Sequence, residues 1–492
     1  MFTSEQEKIR LKKLRSIIEK GIDPYPNRFD RTHTVREIRE TFSDGKDVRV
    51  AGRLIAVRKH GKSTFANILD DGENIQIYLK KDILGEKYSL LELLDIGDFL
   101  GIHGNTFTTH TGEPTILVED LILLSKSISP LPEKWHGLQD KEMRYRLRYI
   151  DFIVNLESRS AIETRAKIIR LTRKFLDDRG FLEIETPILQ SLYGGAFAEP
   201  FKTYYRALDR EFFLRISDEL YLKRLICGGF NKVYEISKDF RNEGQDRLHN
   251  PEFTQLELYE AYKDYTDIKN LVEELFSHLT QNLYSSSKII YQDIELDFTP
   301  PWKTVRYFDA IKEFTGYDLY DVDCKYVKKI IEELGIDISE DSAMIKSGKN
   351  LTPSYIRDKL IDKIFGDRVI PKIEQPTFII DYPKSISPLA KEKEDNPDLV
   401  ERFEPVIAGI EIGNAFSELN NPLEQEKRFI EQMAQREKGD KEAQPLDEDF
   451  LKALGMGMPP TGGLGLGMDR ISMILANSRT IKDVIAFPQM RW

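Results

Sequence analysis

The chain is short of cysteine. Among 492 residues there are two, Cys227 and Cys324, and neither stands beside another Cys or a His at metal-ligand spacing. That excludes a disulfide scaffold and a zinc cluster, and it fits a reducing compartment. Long apolar runs are also missing, so no segment has the length needed to span a membrane. The first twenty residues are charged and helix-prone rather than apolar, and Glu5, Glu7 and Glu19 are out of place in a transit peptide. The chain therefore reads as cytoplasmic, with no membrane partner. There is no internal repeat, and compositional bias is confined to an acidic, lysine-rich patch at 391–395. What is present is ordinary for a large globular protein: 40% apolar and 32% charged residues, enough for two or three domains. The net charge of −11 is unevenly spread, because residues 1–62 hold 16 Lys or Arg against 9 Asp or Glu. A basic end on an acidic body fits either local attraction to phosphates or a solvated helix face.

Residues 1–20 read as an amphipathic helix with Ile9, Leu11, Leu14, Ile17 and Ile18 on one side, ended by Gly21, Pro24 and Pro26. Thr34, with Glu37 three residues on, opens a short helix over 34–42. The texture then changes to short strands at 48–57, 63–69, 74–79, 99–106 and 115–124, with a small helix near 83–93. Five such strands predict a Greek-key barrel of the oligonucleotide-binding (OB) type. Phe65, behind Lys59, His60 and Lys62, and Phe107 fit either base stacking or the barrel core. A proline-bearing stretch at 129–132 and a basic one at 141–148 place a domain boundary within 127–150. A long helix over 158–179 is stopped by Gly180, and the strand 181–187 halts at Pro187. Helical periods at 326–334 and 355–365 mark an inserted subdomain, after which strands return at 377–381, 402–408 and 411–416.

The densest chemistry lies in 240–259. A strand at 232–237 alternates outward polar with inward apolar residues, 242–246 is a turn-forming cluster, and alternation resumes after Gln255. Such a hairpin puts Arg241, Glu243, Glu257 and Tyr259 on facing strands. Burying that many charges is costly unless a ligand pairs with them, so the ligand should carry both signs.

Three separated signatures line up with this hairpin: Gly180-Phe-Leu-Glu-Ile-Glu-Thr-Pro187, Phe240-Arg241-Asn242-Glu243 and Gly462-Gly-Leu-Gly-Leu-Gly-Met-Asp-Arg470. In that order they resemble the three motifs of the class II aminoacyl-tRNA synthetases; the glycine-rich one alone is neither a Rossmann nor a Walker sequence. Tyr193-Gly-Gly-Ala196, Ser217-Asp-Glu-Leu-Tyr-Leu-Lys-Arg224, His249-Asn-Pro-Glu-Phe253, Glu411-Ile-Gly-Asn-Ala-Phe-Ser-Glu-Leu419 and Pro459-Pro-Thr-Gly-Gly-Leu-Gly465 narrow the resemblance to the class II lysyl-tRNA synthetases of bacterial type, over almost the whole chain to Trp492. The resemblance implies an α+β fold: a basic helical extension (1–45), an OB-fold anticodon-binding barrel (46–126), a linker (127–150) and a catalytic domain (151–492) with a mostly antiparallel sheet flanked by helices and a helical insertion at about 305–372.

It also implies a reaction. ATP activates lysine to lysyl-adenylate, and the acyl group passes to the 3′ end of tRNA(Lys); positioning and neutralisation of phosphate charge do most of the work, so no Ser-His-Asp arrangement is expected. Carried over residue by residue, Arg241 bridges the amino-acid carboxylate and the α-phosphate, a role suited to a fork that never loses its charge. Glu243, His249 and Asn250 contact the nucleotide, Phe253 stacks on adenine, and Arg470 clamps the far phosphates, with glycines before it allowing close backbone approach. Glu404 and Glu411 match magnesium-binding carboxylates, seven residues apart across a turn at Gly409. Glu219 and the Gly195 backbone take the α-amino end of lysine, Glu418 and Tyr259 its side-chain ammonium, with Glu257 as further carboxylate and Asn414 and Phe416 as pocket wall. Phe65, Gln76 and Glu113 match anticodon contacts, and the helix ending at Arg179 with the strand to Pro187 forms a homodimer interface.

The rivals are an aspartyl- or asparaginyl-type enzyme, whose pocket should be cationic; a shortened paralogue, which lacks the barrel; and a catalytically inactive nucleic-acid-binding paralogue, which need not keep Arg241, Glu404, Glu411 and Arg470. Three departures from the family stand out: Ala415 in place of a common glycine, Glu199 in place of a common arginine, and Arg247-Leu248 before the histidine.

Overall fold

A computed structural model of the chain describes residues 2–131, 138, 140–338, 352–437 and 445–491. Parts of the expected linker (132–137 and 139) and insertion (339–351), together with Trp492, lie outside the described residues. The chain forms two compact units, 1–159 and 160–492.

In the first unit the helix Glu5–Glu19 starts at a capping box between Ser4 and Glu7, and Val35–Glu40 starts at the one the sequence indicates, with the Thr34 N–H donating to Glu37 Oε2 at 2.7 Å. Each cap satisfies amides that an isolated helix leaves bare. Strands Asp47–His60, Ser63–Asp70, Glu73–Lys80, Phe99–Thr108 and Pro114–Ser125 close into a barrel in the order first, second, third, fifth, fourth. Alternate residues such as Val48, Val50, Ile68, Ile75, Ile77, Ile102 and Val118 fill its interior. The expected helix near 83–93 is instead one α-turn, Lys81–Leu84, ended by Gly85 at φ +55°, and a 3₁₀ stretch, Gly85–Glu92.

The second unit is built on a nine-stranded sheet. Its main path runs Lys303–Arg306, Thr377–Pro383, Leu399–Ile407, Gly413–Ser417, Thr461–Gly467, Glu252–Ala261, Lys232–Phe240, Leu182–Glu183, and Ile410–Glu411 hangs from Leu399–Ile407. The pairing is antiparallel except at the two edges, where Lys303–Arg306 and Leu182–Glu183 run parallel to their neighbours. Both faces are covered. Leu256, Leu258, Leu464, Leu466, Phe378 and Phe403 pack with Ile268, Val272 and Phe276 of the helix Tyr265–Tyr284 in one core. Tyr259, Ala261, Ile379, Val406 and Phe416 pack with Tyr307, Ile311, Ile330 and Ile361 in the other.

Several expectations change for this reason. The strand Lys232–Phe240 does not alternate between solvent and core: Val233, Tyr234, Glu235 and Ser237 are all buried. Lys303–Arg306 is a sheet strand, and the helices of the insertion, expected from about 305, start with Tyr307–Thr315. Only Leu182–Glu183 of 181–187 pairs as strand. A small sheet of Leu189–Gln190, Arg210–Leu214 and Lys202–Tyr205, and the hairpin Lys288–Tyr291 with Ile294–Asp297, have strands too short for their alternation to register.

Candidate functional site

Strand Glu252–Ala261 organises the site. Successive residues of a strand point to opposite faces, so Leu256 and Leu258 enter the core while Phe253, Gln255, Glu257 and Tyr259 share the other face. Opposite them in Thr461–Gly467 stand Gly467 against Gln255, Gly465 against Glu257 and Gly463 against Tyr259, while Leu464 and Leu466 turn to the core. Three missing side chains on one face leave room, and the result is a cavity of about 420 Å³. The cavity is lined by Gly195, Glu219, Arg241, Glu243, His249, Asn250, Phe253, Glu257, Tyr259, Glu404, Glu411, Asn414, Phe416, Glu418 and Arg470. All the expected catalytic, nucleotide, lysine and metal residues are thus brought together.

Beside the hairpin loop the Arg241 guanidinium lies 5.0 Å from the centre of the Phe253 ring. Asp246 folds the hairpin loop: it accepts from the backbone N–H groups of Leu248 and His249 and lies 2.8 Å from His249 Nδ1. With Nδ1–H donated to that carboxylate, Nε2 is left as the acceptor for Arg470 Nη2 at 3.0 Å. Arg470 Nη1 also donates to the Glu411 carbonyl at 2.7 Å. Asn250 is buried and its amide donates to the Glu252 carbonyl at 2.6 Å, bracing the loop from inside.

Another side of the cavity is a wall of carboxylates. Glu257 accepts from Ser217 Oγ at 2.8 Å, Gln255 Nε2 at 2.7 Å and Tyr259 Oη at 3.1 Å. Burial, and then the neighbouring Asp239 and Glu219, push its carboxyl up to about 8. Burial likewise carries Glu418 up to about 8. Gly195, at φ +89°, passes so near this wall that a Cβ would lie 2.8 Å from Ser217 Oγ. Gly463 is tighter still, since its Cβ would fall 1.9 Å from Glu418 Oε1. Within the glycine-rich signature, Gly463 makes room for the carboxylate wall and Gly467 lies beside Arg470.

Glu404 and Glu411 face the same cavity, but not through a plain ladder. Glu411 pairs with Val406, the turn has Ala408 and Gly409 at positive φ, and the Ile412 N–H returns to the Pro405 carbonyl at 3.0 Å. Glu404 accepts from Arg402 Nη2 at 2.5 Å and Tyr382 Oη at 2.8 Å, and burial together with Glu411 pushes it up to about 8. Two hard oxygen donors that repel each other suit a magnesium ion that shares its remaining ligands with phosphates. Among the described residues the one group of three carboxylates close enough for a metal is elsewhere: Asp218, Asp239 and Glu257. Burial and the neighbouring Glu257 and Asp239 raise Asp218 well above the carboxylate range, so protons answer this crowding.

Sequence reasoning missed Ser217, Gln255, Lys223, Tyr382 and Arg402. The signal for Gln255 was the period-2 face it shares with Glu257; Arg402, which holds Asn414 Oδ1 at 2.8 Å as well as Glu404, gave none. Of the departures, Ala415 lies in the core opposite Leu464, away from the cavity. The Glu199 carbonyl accepts from the Asn242 N–H at 2.8 Å, and the Arg247 carbonyl accepts from Ile481 N–H and Thr480 Oγ1.

On the barrel, Phe65 stacks on its cross-strand partner Tyr78 with centroids 4.3 Å apart at 13°, and Tyr78 lies 6.1 Å from Phe107. All three rings stay partly exposed, so they are not core. Gln76 Oε1 accepts from Thr115 Oγ1 at 3.0 Å, and Glu113 is exposed at a turn closed by Thr109. Tyr78 belongs to the same surface and was not foreseen.

The family described as "tRNA synthetases class II (D, K and N)" matches residues 140–491, and "OB-fold nucleic acid binding domain" matches 48–124. The chain is 49% identical to a lysine–tRNA ligase of Pelotomaculum thermopropionicum, covering 99% of this chain and 95% of that one. It is 49% identical to that of Thermoanaerobacter sp. (99% and 96% covered) and 48% identical to that of Moorella thermoacetica (98% and 97% covered). No helix among the described residues is long and apolar enough to cross a membrane.

Proposed function

Because the chain belongs to the class II tRNA synthetases of the lysine–tRNA ligase kind, we propose a division of labour along one strand face, with ATP at the Phe253 end and lysine at the Glu257–Tyr259 end. The enzyme joins lysine to tRNA at the expense of ATP. In the first step a lysine carboxylate oxygen bonds to the α-phosphorus and pyrophosphate leaves; in the second, a tRNA ribose hydroxyl attacks the acyl carbon and AMP leaves. Arg241 holds the carboxylate and α-phosphate together and balances the charge that builds between them. Arg470, oriented by His249, meets the far phosphates, and Phe253, whose ring lies beside the Arg241 guanidinium, stacks on the adenine. Glu219, Glu257 and Glu418 receive the two ammonium groups. Magnesium, held by Glu404 and Glu411, would supply neutralisation of phosphate charge.

The observation that carries this reading is the carboxylate wall: a pocket for an acidic side chain would present cations where Glu257 and Glu418 stand. ATP–pyrophosphate exchange with lysine, aspartate and asparagine decides it, with exchange expected for lysine alone; exchange driven by aspartate would overturn the assignment. Phe65, Gln76 and Glu113, with Tyr78 behind Phe65, read the anticodon by stacking and base-edge hydrogen bonds. We assign a cytoplasmic homodimer, supported by Leu182, Ile188 and Leu189, which stand exposed beside the first motif. A monomer in light scattering at micromolar concentration would remove that part.

A further inference from the structure

Behind the carboxylate wall lies a cation that does not reach the cavity. Lys223, on the helix Glu219–Cys227, is fully buried, and its Nζ stands 2.9 Å from Glu219 Oε1 and 2.7 Å from Glu418 Oε2. Phe450 and Phe416 flank the ammonium, their ring centres 5.3 Å and 6.0 Å from Nζ. Burial works against its charge, but Glu418 and Glu219 outweigh that and keep it protonated. Glu418 Oε1 has no hydrogen-bond partner and is buried against Gly463. A buried ion triad is an expensive way to hold a helix, since apolar residues of similar volume would do it as well or better. Its placement suggests another use: one nitrogen bridges the two carboxylates that serve opposite ends of the amino acid.

We propose that Lys223 sets the distance between the two ammonium-binding ends of the lysine pocket, holding Glu219 and Glu418 from behind so that neither can shift to meet a shorter diamine. Lys223 is then a positioning residue for substrate length. The wall also fits the charge of the ligand: once lysine has displaced their protons, three carboxylates (Glu219, Glu257, Glu418) and one internal ammonium leave two negative charges for the two ammonium groups of lysine. Asp218, Asp239, Glu235, Cys227 and Tyr259 are further titratable groups around this wall, and Arg215 engages Asp239 at 3.3 Å.

The proposal rests on the assignment of Glu219 and Glu418 to lysine, and the test separates the two. Lysine- and ornithine-dependent ATP–pyrophosphate exchange is measured for the full-length enzyme and for Lys223→Met. The expected result is a lysine KM raised on the order of 30-fold, kcat changed far less, and the preference for lysine over ornithine reduced at least about fivefold. A merely structural lysine would lower melting temperature and leave that preference intact. Lys223→Gln, which keeps a donor between the carboxylates and loses only the charge, repeats the test if the Met variant does not fold. A folded variant with lysine KM and preference within about twofold of the parent overturns the proposal, as does failure of both variants to fold. If the unaltered enzyme itself does not activate lysine, the assignment of the pocket falls instead.

Discussion

The two units carry two kinds of binding surface. On the barrel the candidate surface is a row of neutral rings, Phe65 on Tyr78 with Phe107 beyond, partly exposed and needing no partner. In the catalytic unit the surface is a buried array of charges, with Glu257, Glu404 and Glu418 each pushed up to about 8. A ring surface can wait for its ligand in its final form. Buried carboxylates cannot, because each needs a proton, an internal cation or the ligand itself to offset lost hydration. Ligand binding in the second unit should therefore be coupled to protons, and in the first it should not.

Four changes test the difference between the two surfaces. The largest effect is expected from Arg241→Ala, which removes the charge proposed to face the α-phosphate and should lower kcat for ATP–pyrophosphate exchange on the order of 10³-fold. Next comes Glu418→Gln, expected to raise the lysine KM on the order of 100-fold by leaving an ammonium and Lys223 short of a carboxylate. Phe65→Ala should raise the KM for tRNA roughly tenfold through loss of stacking, with no dependence on pH between 6 and 8.5 beyond that of the parent. The last effect is on the ligand-free protein. Its three raised glutamates hold protons up to about 8, whereas unfolded glutamates lose theirs near 4.3, so between these values the folded state binds more protons and stability falls as pH rises. Melting temperature should decline from pH 5.5 to pH 8, and the rise produced by added lysine should grow over the same window. A lysine-induced rise that is flat in pH would erase the contrast.

The contrast also marks what was legible in the sequence. The barrel could be read nearly strand for strand because one face of each strand meets an apolar interior and the other meets water. The catalytic strands hide that alternation, since both faces are buried; Glu235 and Ser237 look solvent-facing in sequence and are not. The residues proposed for the nucleotide and for lysine are carried by motifs, and the structure gathers them around one cavity. Their support is not so carried: Lys223, Arg402 and Tyr382 are ordinary residues whose role comes from strands and helices far apart in sequence. Gly463 was visible as part of a glycine-rich run, yet its purpose, clearance for Glu418, depends on a strand pairing that no local pattern announces.

On this reading, lysine displaces protons from the carboxylate wall as it binds. Calorimetric titration of the enzyme with lysine at pH 7, repeated in buffers of different ionisation enthalpy, counts the protons exchanged directly. With Glu257 and Glu418 both pushed up to about 8, release of at least about one proton per lysine bound is expected. Binding with no proton release, or with uptake, would contradict the account.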